Sequence, residues 1–99
     1  MKLAWTQEAL EKLVEIEEYI AKDNPVRAEK FINQLIGRAE SLLKNPNKGR
    51  VVREFLIPEL RELIFKNYRI VYLLKEDCIE ILTVFESHRL IRKSEIFKK

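Results

Sequence analysis

A single cysteine in 99 residues, Cys78, rules out an internal disulfide, and a chain built without one suits a reducing cytosol. Cys78 stands in an apolar, strand-like run with no histidine close by, so it is expected as a buried structural thiol. Glycine is scarce, with two residues, while lysine, glutamate and isoleucine are abundant. That balance suits an ordinary ion-paired helical surface as well as it suits a thermophile. No stretch approaches the roughly twenty apolar residues of a membrane span. Charges follow the first few residues at once, which does not fit a signal peptide. A cytoplasmic chain with no membrane role is the expectation. What is present is 46% hydrophobic and 35% charged, too apolar for a disordered chain. The length fits one domain, residues 1–99, able to bury roughly two-thirds of its unfolded surface.

The net charge is +3, and its placement says more than its size. Arg89, Arg92, Lys93, Lys98 and Lys99 against Glu95 give residues 87–99 a net of +4, so the remainder is −1. A basic end on a near-neutral body suits an acidic partner or a phosphate backbone, and a merely solvated tail equally well.

Along the chain, Lys2-Leu3-Ala4-Trp5 reads as extended, and Thr6 as an N-cap whose hydroxyl accepts from the first helical turn. Ala9, Leu13, Ile16 and Ile20, widened by Leu10 and Val14, make one apolar face; Glu8, Glu11, Glu15 and Glu18 make the other acidic. Asp23-Asn24-Pro25 breaks and restarts the helix, with Asn24 able to cap and Pro25 suited to the first position. A second helix follows with a wide stripe, from Ala28 and Phe31 to Leu42 and Leu43, and ends at Asn45-Pro46. After Gly49 the period changes. Residues 51–57 are β-branched and aromatic-rich, then Pro58 interrupts. Residues 60–65 (LRELIF), 68–74 (YRIVYLL) and 78–85 (CIEILTVF) read as strands, and the two-residue turns Lys66-Asn67 and Glu76-Asp77 make antiparallel hairpins of them. The middle one is apolar enough for a strand covered on both faces. The predicted order is β-α-α-β-β-β, an α+β fold with a helical hairpin on one side of a mainly antiparallel sheet. Trp5, Phe31, Leu35 and the YRIVY strand are the expected core.

This order resembles the RelE/ParE toxin superfamily over nearly the whole chain. The resemblance runs through Trp5-Thr6-x-x-Ala9, Tyr19-Ile20 and Asn24-Pro25. It is most specific at Arg61-Glu62-Leu63 and Tyr68-Arg69-Ile70-Val71-Tyr72, and closes with Ile79-x-Ile81-Leu82-x-Val84-Phe85 and His88-Arg89. It implies the toxin of a type II toxin–antitoxin system, of the kind tied to plasmid stabilization, held silent in a heteromeric complex by an acidic, partly disordered antitoxin. It implies one of two targets: DNA gyrase, bound by ParE-like members, or ribosome-bound mRNA, cut without a metal by RelE-like mRNA interferases. A decayed, non-toxic module that only binds its antitoxin is the third possibility. No cofactor or metal is expected.

Metal-free RNA cleavage needs a base for the ribose 2′-OH, cations for the phosphorane and an acid for the leaving oxygen. Arg69, which interrupts an apolar strand at a cost unless paired, is the candidate phosphate stabiliser, or else a structural partner of Glu62 or Glu86. Unbulged pairing through the two turns sets Arg69 opposite Val84 and Ile64, gathering Glu62, Glu86 and His88 on its face. His88, the one histidine, is a candidate acid or base, and Glu54 a candidate base by resemblance. Arg53, Arg61, Arg89, Arg92 and Lys93 are candidates for gripping RNA or another target, with Lys48 and Arg50 able to bind phosphate. The tail after His88 holds no tyrosine, and Arg89 stands where nuclease members carry one. The RELxxxxYRIVY pattern and the His-Arg ending are closer to ParE-like members.

Overall fold

The computed structural model describes residues 1–87. Strand β1 (Lys2–Trp5) leads into helix α1 (Gln7–Ala21). Thr6 caps α1: its Oγ1 accepts from the Ala9 N–H at 3.1 Å and donates to the Leu82 carbonyl at 2.8 Å, so the cap also fastens the helix to the sheet. Helix α2 (Pro25–Glu40) starts as the sequence predicts, with the Arg27 N–H on Asn24 Oδ1 at 3.1 Å and Pro25 at the first position. A 3₁₀ turn, Ser41–Leu43, ends the helical hairpin.

Strands β2 (Arg50–Val51), β3 (Leu60–Phe65), β4 (Tyr68–Leu74) and β5 (Cys78–Glu86) complete one sheet in the order β1-β5-β4-β3-β2. All neighbours are antiparallel except β1 with β5. This is the predicted α+β architecture with one addition, the two-residue β2. The rest of the 51–57 segment does not pair in a strand; it folds as turns over the sheet face away from the helices. Lys66-Asn67 closes the β3–β4 hairpin with Phe65 opposite Tyr68 and Ile64 opposite Arg69, the expected register.

The β4–β5 register departs from expectation. It begins as predicted, with Lys75 N–H on the Cys78 carbonyl at 2.8 Å. It then slips between Tyr72, opposite Ile81, and Val71, opposite Thr83, leaving Leu82 as an extra residue. Arg69 therefore faces Phe85 and not Val84. Because side chains alternate, one inserted residue moves everything beyond it to the other face. Ile81 and Val84, three apart, both join the helix-side core, while Leu82 and Phe85 join the opposite one.

The two faces carry separate cores. The larger packs Ala9, Leu13, Ile16, Phe31, Leu35 and Leu42 against Ile70, Tyr72, Ile79 and Val84, with Trp5 at its margin. The smaller sets Val52, Leu60, Val71, Leu82 and Phe85 beneath Phe55 and Ile57 of the turn segment. Strand β4 is thus covered on both sides, as its unbroken apolar run implies. Cys78 is half-buried, contrary to expectation: it opens β5 opposite the exposed Lys2, at the end of the sheet.

Candidate functional site

On the face away from the helices, β3 and β4 hold a polar cluster within an apolar surround. Cross-strand pairing and alternation set Glu62 and Arg69 on the same face, and both are buried, at 2% and 5% exposure. Two such charges are tolerated there only because each is fully engaged. Arg69 Nε donates to Glu62 Oε1 at 2.6 Å. Its Nη1 and Nη2 donate to the two oxygens of Glu54, each at 3.0 Å, in a forked pair. Arg50 Nε donates to the second oxygen of Glu62 at 2.9 Å. The Arg69 guanidinium also lies 5.1 Å from the centre of the Phe85 ring, a cation–π contact created by the β5 bulge. Burial alone would push the Arg69 guanidinium down, but the hydrogen bonds and charges of Glu54 and Glu62 outweigh it and hold it above its ordinary value.

Arg50, Arg53, Glu54, Glu62, Arg69 and Ser87 line a cleft of about 290 Å³. Arg53 is exposed there, and the Arg50 side chain is more than half exposed. Arg61 does something else: its Nε donates to the Pro58 carbonyl at 3.1 Å and its Nη1 to the Gly49 carbonyl at 2.8 Å, clamping both ends of the turn segment. Deeper, the Gly49 N–H donates to Tyr72 Oη at 2.9 Å and the Tyr72 hydroxyl donates to the Pro46 carbonyl at 2.9 Å. A side chain at Gly49 would meet Tyr72 Oη at 2.5 Å and the Glu62 carbonyl at 2.6 Å, so only glycine fits.

Of the candidate residues, Glu54, Arg69 and Arg53 come together in this cleft, and Arg61 lies beside it as a backbone clamp. Glu86 does not join them. Past the bulge it points to the helix side, paired with Tyr68. His88, Arg89, Arg92 and Lys93 lie outside the described residues. The sequence offered a structural pair of Arg69 with Glu62 or Glu86 as the alternative to phosphate binding, and the pair is with Glu62; it gave no sign that Phe85 underlies Arg69 or that Ser87 reaches the cleft, because both depend on the bulge. Among the described residues, no group of three or more His, Cys, Asp or Glu is placed to hold a metal ion, and no helix is long and apolar enough to cross a membrane.

Two helices on a five-stranded, mostly antiparallel sheet with this strand order define a RelE/ParE-type toxin fold, and comparison with known proteins agrees. The family model for the ParE toxin of the type II toxin–antitoxin system parDE matches residues 3–91. The chain is 36% identical over 90 residues to "Putative toxin Y4kP" of Sinorhizobium fredii, covering 89% of this chain and 90% of that one. It is 30% identical over 90 residues to Toxin RelE2 of Caulobacter vibrioides, covering 90% and 98%. Among solved structures, a chain of the chromosomal ParDE toxin–antitoxin system from P. aeruginosa superposes with a TM-score of 0.73 at 25% identity, covering 87% of this chain and 95% of that one. The protein belongs to the ParE toxin family: it is the toxin half of a type II toxin–antitoxin pair, and its partner is an antitoxin.

Proposed function

We propose that the toxin acts by binding DNA gyrase and does not cut RNA. The observation that carries this reading is the state of Arg69. All three nitrogens of its guanidinium donate to carboxylates, and both oxygens of Glu54 accept from it. A cation that stabilises a phosphorane must present its charge and donors to the reacting phosphate; here two carboxylates balance the charge and three of the five N–H donors already reach them. On this reading Arg69 and Glu54 hold the turn segment against the sheet. The target is gripped by exposed groups, Arg53 among them, together with His88, Arg89, Arg92 and Lys93. The missing tyrosine after His88 and the match to a ParE family model over most of the chain support the same side. The antitoxin is acidic, covers the basic groups, and meets the toxin in the cytoplasm.

The test is a supercoiling assay with purified gyrase and relaxed plasmid. The reading predicts dose-dependent loss of supercoiling that the antitoxin restores. Full gyrase activity at a large excess of toxin would overturn it. One observation favours the mRNA endonuclease instead: Arg50 and Arg53 flank Glu54 in a cleft where a phosphate would find cations. In that case Glu54 and His88 serve as base and acid, and Arg69 must exchange a carboxylate for the phosphate.

A further inference from the structure

A cleft of about 420 Å³ lies on the other side of the sheet from Arg69, between α1 and the β4–β5 pair. Its floor is apolar, from Ile16 and Val84; two phenols, Tyr19 and Tyr68, and two carboxylates, Glu15 and Glu86, stand around it. Glu86 is there because of the bulge at Leu82. In an unbulged β5 it would have shared the face of Arg69; the extra residue turns it to this side, next to its cross-strand partner Tyr68. Bulges that re-aim a side chain are a recurrent feature of functional surfaces. Tyr68 is backed by Phe31, ring centres 5.6 Å apart, so its ring is a fixed wall. Tyr19, by contrast, is 71% exposed, a large apolar-bodied residue given mostly to solvent at the cleft's edge.

Among the described residues that line the cleft, two carboxylates, Glu15 and Glu86, stand against one lysine, Lys12. That lysine sits at the cleft's edge, 3.8 Å from Glu15 and 3.9 Å from Glu8, distances at which it neutralises neither fully. Burial first, then Glu86 and Tyr19, push the Tyr68 hydroxyl above its ordinary value, as a site that disfavours further negative charge must.

We infer that this cleft is a docking site for an arginine side chain presented by a peptide segment of a protein partner. The chemistry fits each part of that side chain. The aliphatic stem lies on Ile16 and Val84, the guanidinium plane faces the phenol rings, and its N–H groups meet Glu15 and Glu86. An acidic or neutral side chain would be repelled or would leave the carboxylates without a gain. The site stands on this cleft alone and is independent of whether gyrase or the ribosome is the target.

The test uses the full chain, labelled with ¹⁵N, and a capped leucine-arginine-leucine tripeptide. The control replaces arginine with citrulline, which keeps the shape and removes the charge. The arginine peptide should give saturable shifts at Tyr19, Asn67, Tyr68 and Glu86, with binding roughly fivefold or more tighter than the citrulline peptide. In the Glu15→Gln, Glu86→Gln double variant, whose substitutions lie on exposed positions, the two peptides should bind alike. Equal binding of both peptides to the unmodified protein would overturn the inference, as would shifts confined to other surfaces or no saturable shifts at all.

Discussion

Replacing Arg69 with methionine tests the buried ion network directly. Methionine keeps the length of the stem and can still rest on Phe85. What it removes is the 2.6 Å donor to Glu62 and the forked pair to Glu54. Glu54 is partly exposed, its side chain at 23%, and can turn to water; Glu62, its side chain at 1%, cannot. Glu62 keeps only Arg50, so a buried carboxylate is left half-paired. Removing one partner of a buried pair costs about 3–5 kcal/mol, and the surviving Arg50 contact puts this case at the low end, about 3 kcal/mol. At about 4–8 °C per kcal/mol for a domain of this size, the melting temperature should fall by roughly 12–24 °C. A second substitution sharpens the argument. Changing Glu62 to leucine in the same protein removes the stranded charge, while Arg50 and Glu54 both rehydrate at the surface. The double variant Arg69→Met, Glu62→Leu should therefore be more stable than Arg69→Met alone, recovering about 2 kcal/mol. Urea denaturation followed by circular dichroism measures both. A single variant within about 1 kcal/mol of the parent, or a double variant no better than the single, would refute the claim that the network is a buried, mutually dependent unit.

Gly49→Ala should cost about 2–3 kcal/mol, because the added carbon meets the Glu62 carbonyl and the Tyr72 hydroxyl and one strand must move; its denaturation midpoint reports this. Tyr72→Phe leaves the Gly49 N–H and the Pro46 carbonyl without their partner and should cost about 2 kcal/mol at neutral pH. The same tyrosine predicts alkaline behaviour. Burial raises its folded value above the ordinary 10.0, so its stabilising contribution is whole below pH 10 and is lost as pH climbs toward the folded value, because the unfolded chain releases the proton first. Stability of the parent should fall above pH 10, and Tyr72→Phe should flatten that fall. Lys66 sits at φ 55° in the β3–β4 turn, a conformation glycine adopts freely, so Lys66→Gly should stabilise by about 0.5–1 kcal/mol in the same urea titration.

Much of the fold was legible because single residues announce it. Thr6, Asn24 and Pro25 mark helix starts with the side chains that cap them. Lys66-Asn67 fixes the β3–β4 register, and that register alone puts Glu62 beside Arg69. The limit comes at β5. From Ile79 to Phe85 only Glu80 and Thr83 break an apolar run, so no alternation reveals which side each residue faces, and a one-residue bulge leaves no trace. That insertion decides which face Glu86 takes and sets Phe85 under Arg69. Glu54 was legible as a carboxylate near the site by resemblance, but its forked pairing depends on how the turn segment folds back. Nothing in its local sequence encodes that; Pro58, Gly49 and the Arg61 clamp set it from a distance.

The central claim, that Arg69 is spent in holding the protein together and the toxin works by binding, meets its most direct test at the ribosome. Purified toxin would be added to a cell-free translation reaction and the message read by primer extension. The account predicts uncut message at toxin concentrations that abolish gyrase supercoiling. Cuts within codons of ribosome-bound message, lost in a folded Arg69→Met variant, would contradict it and return Arg69 to the chemistry.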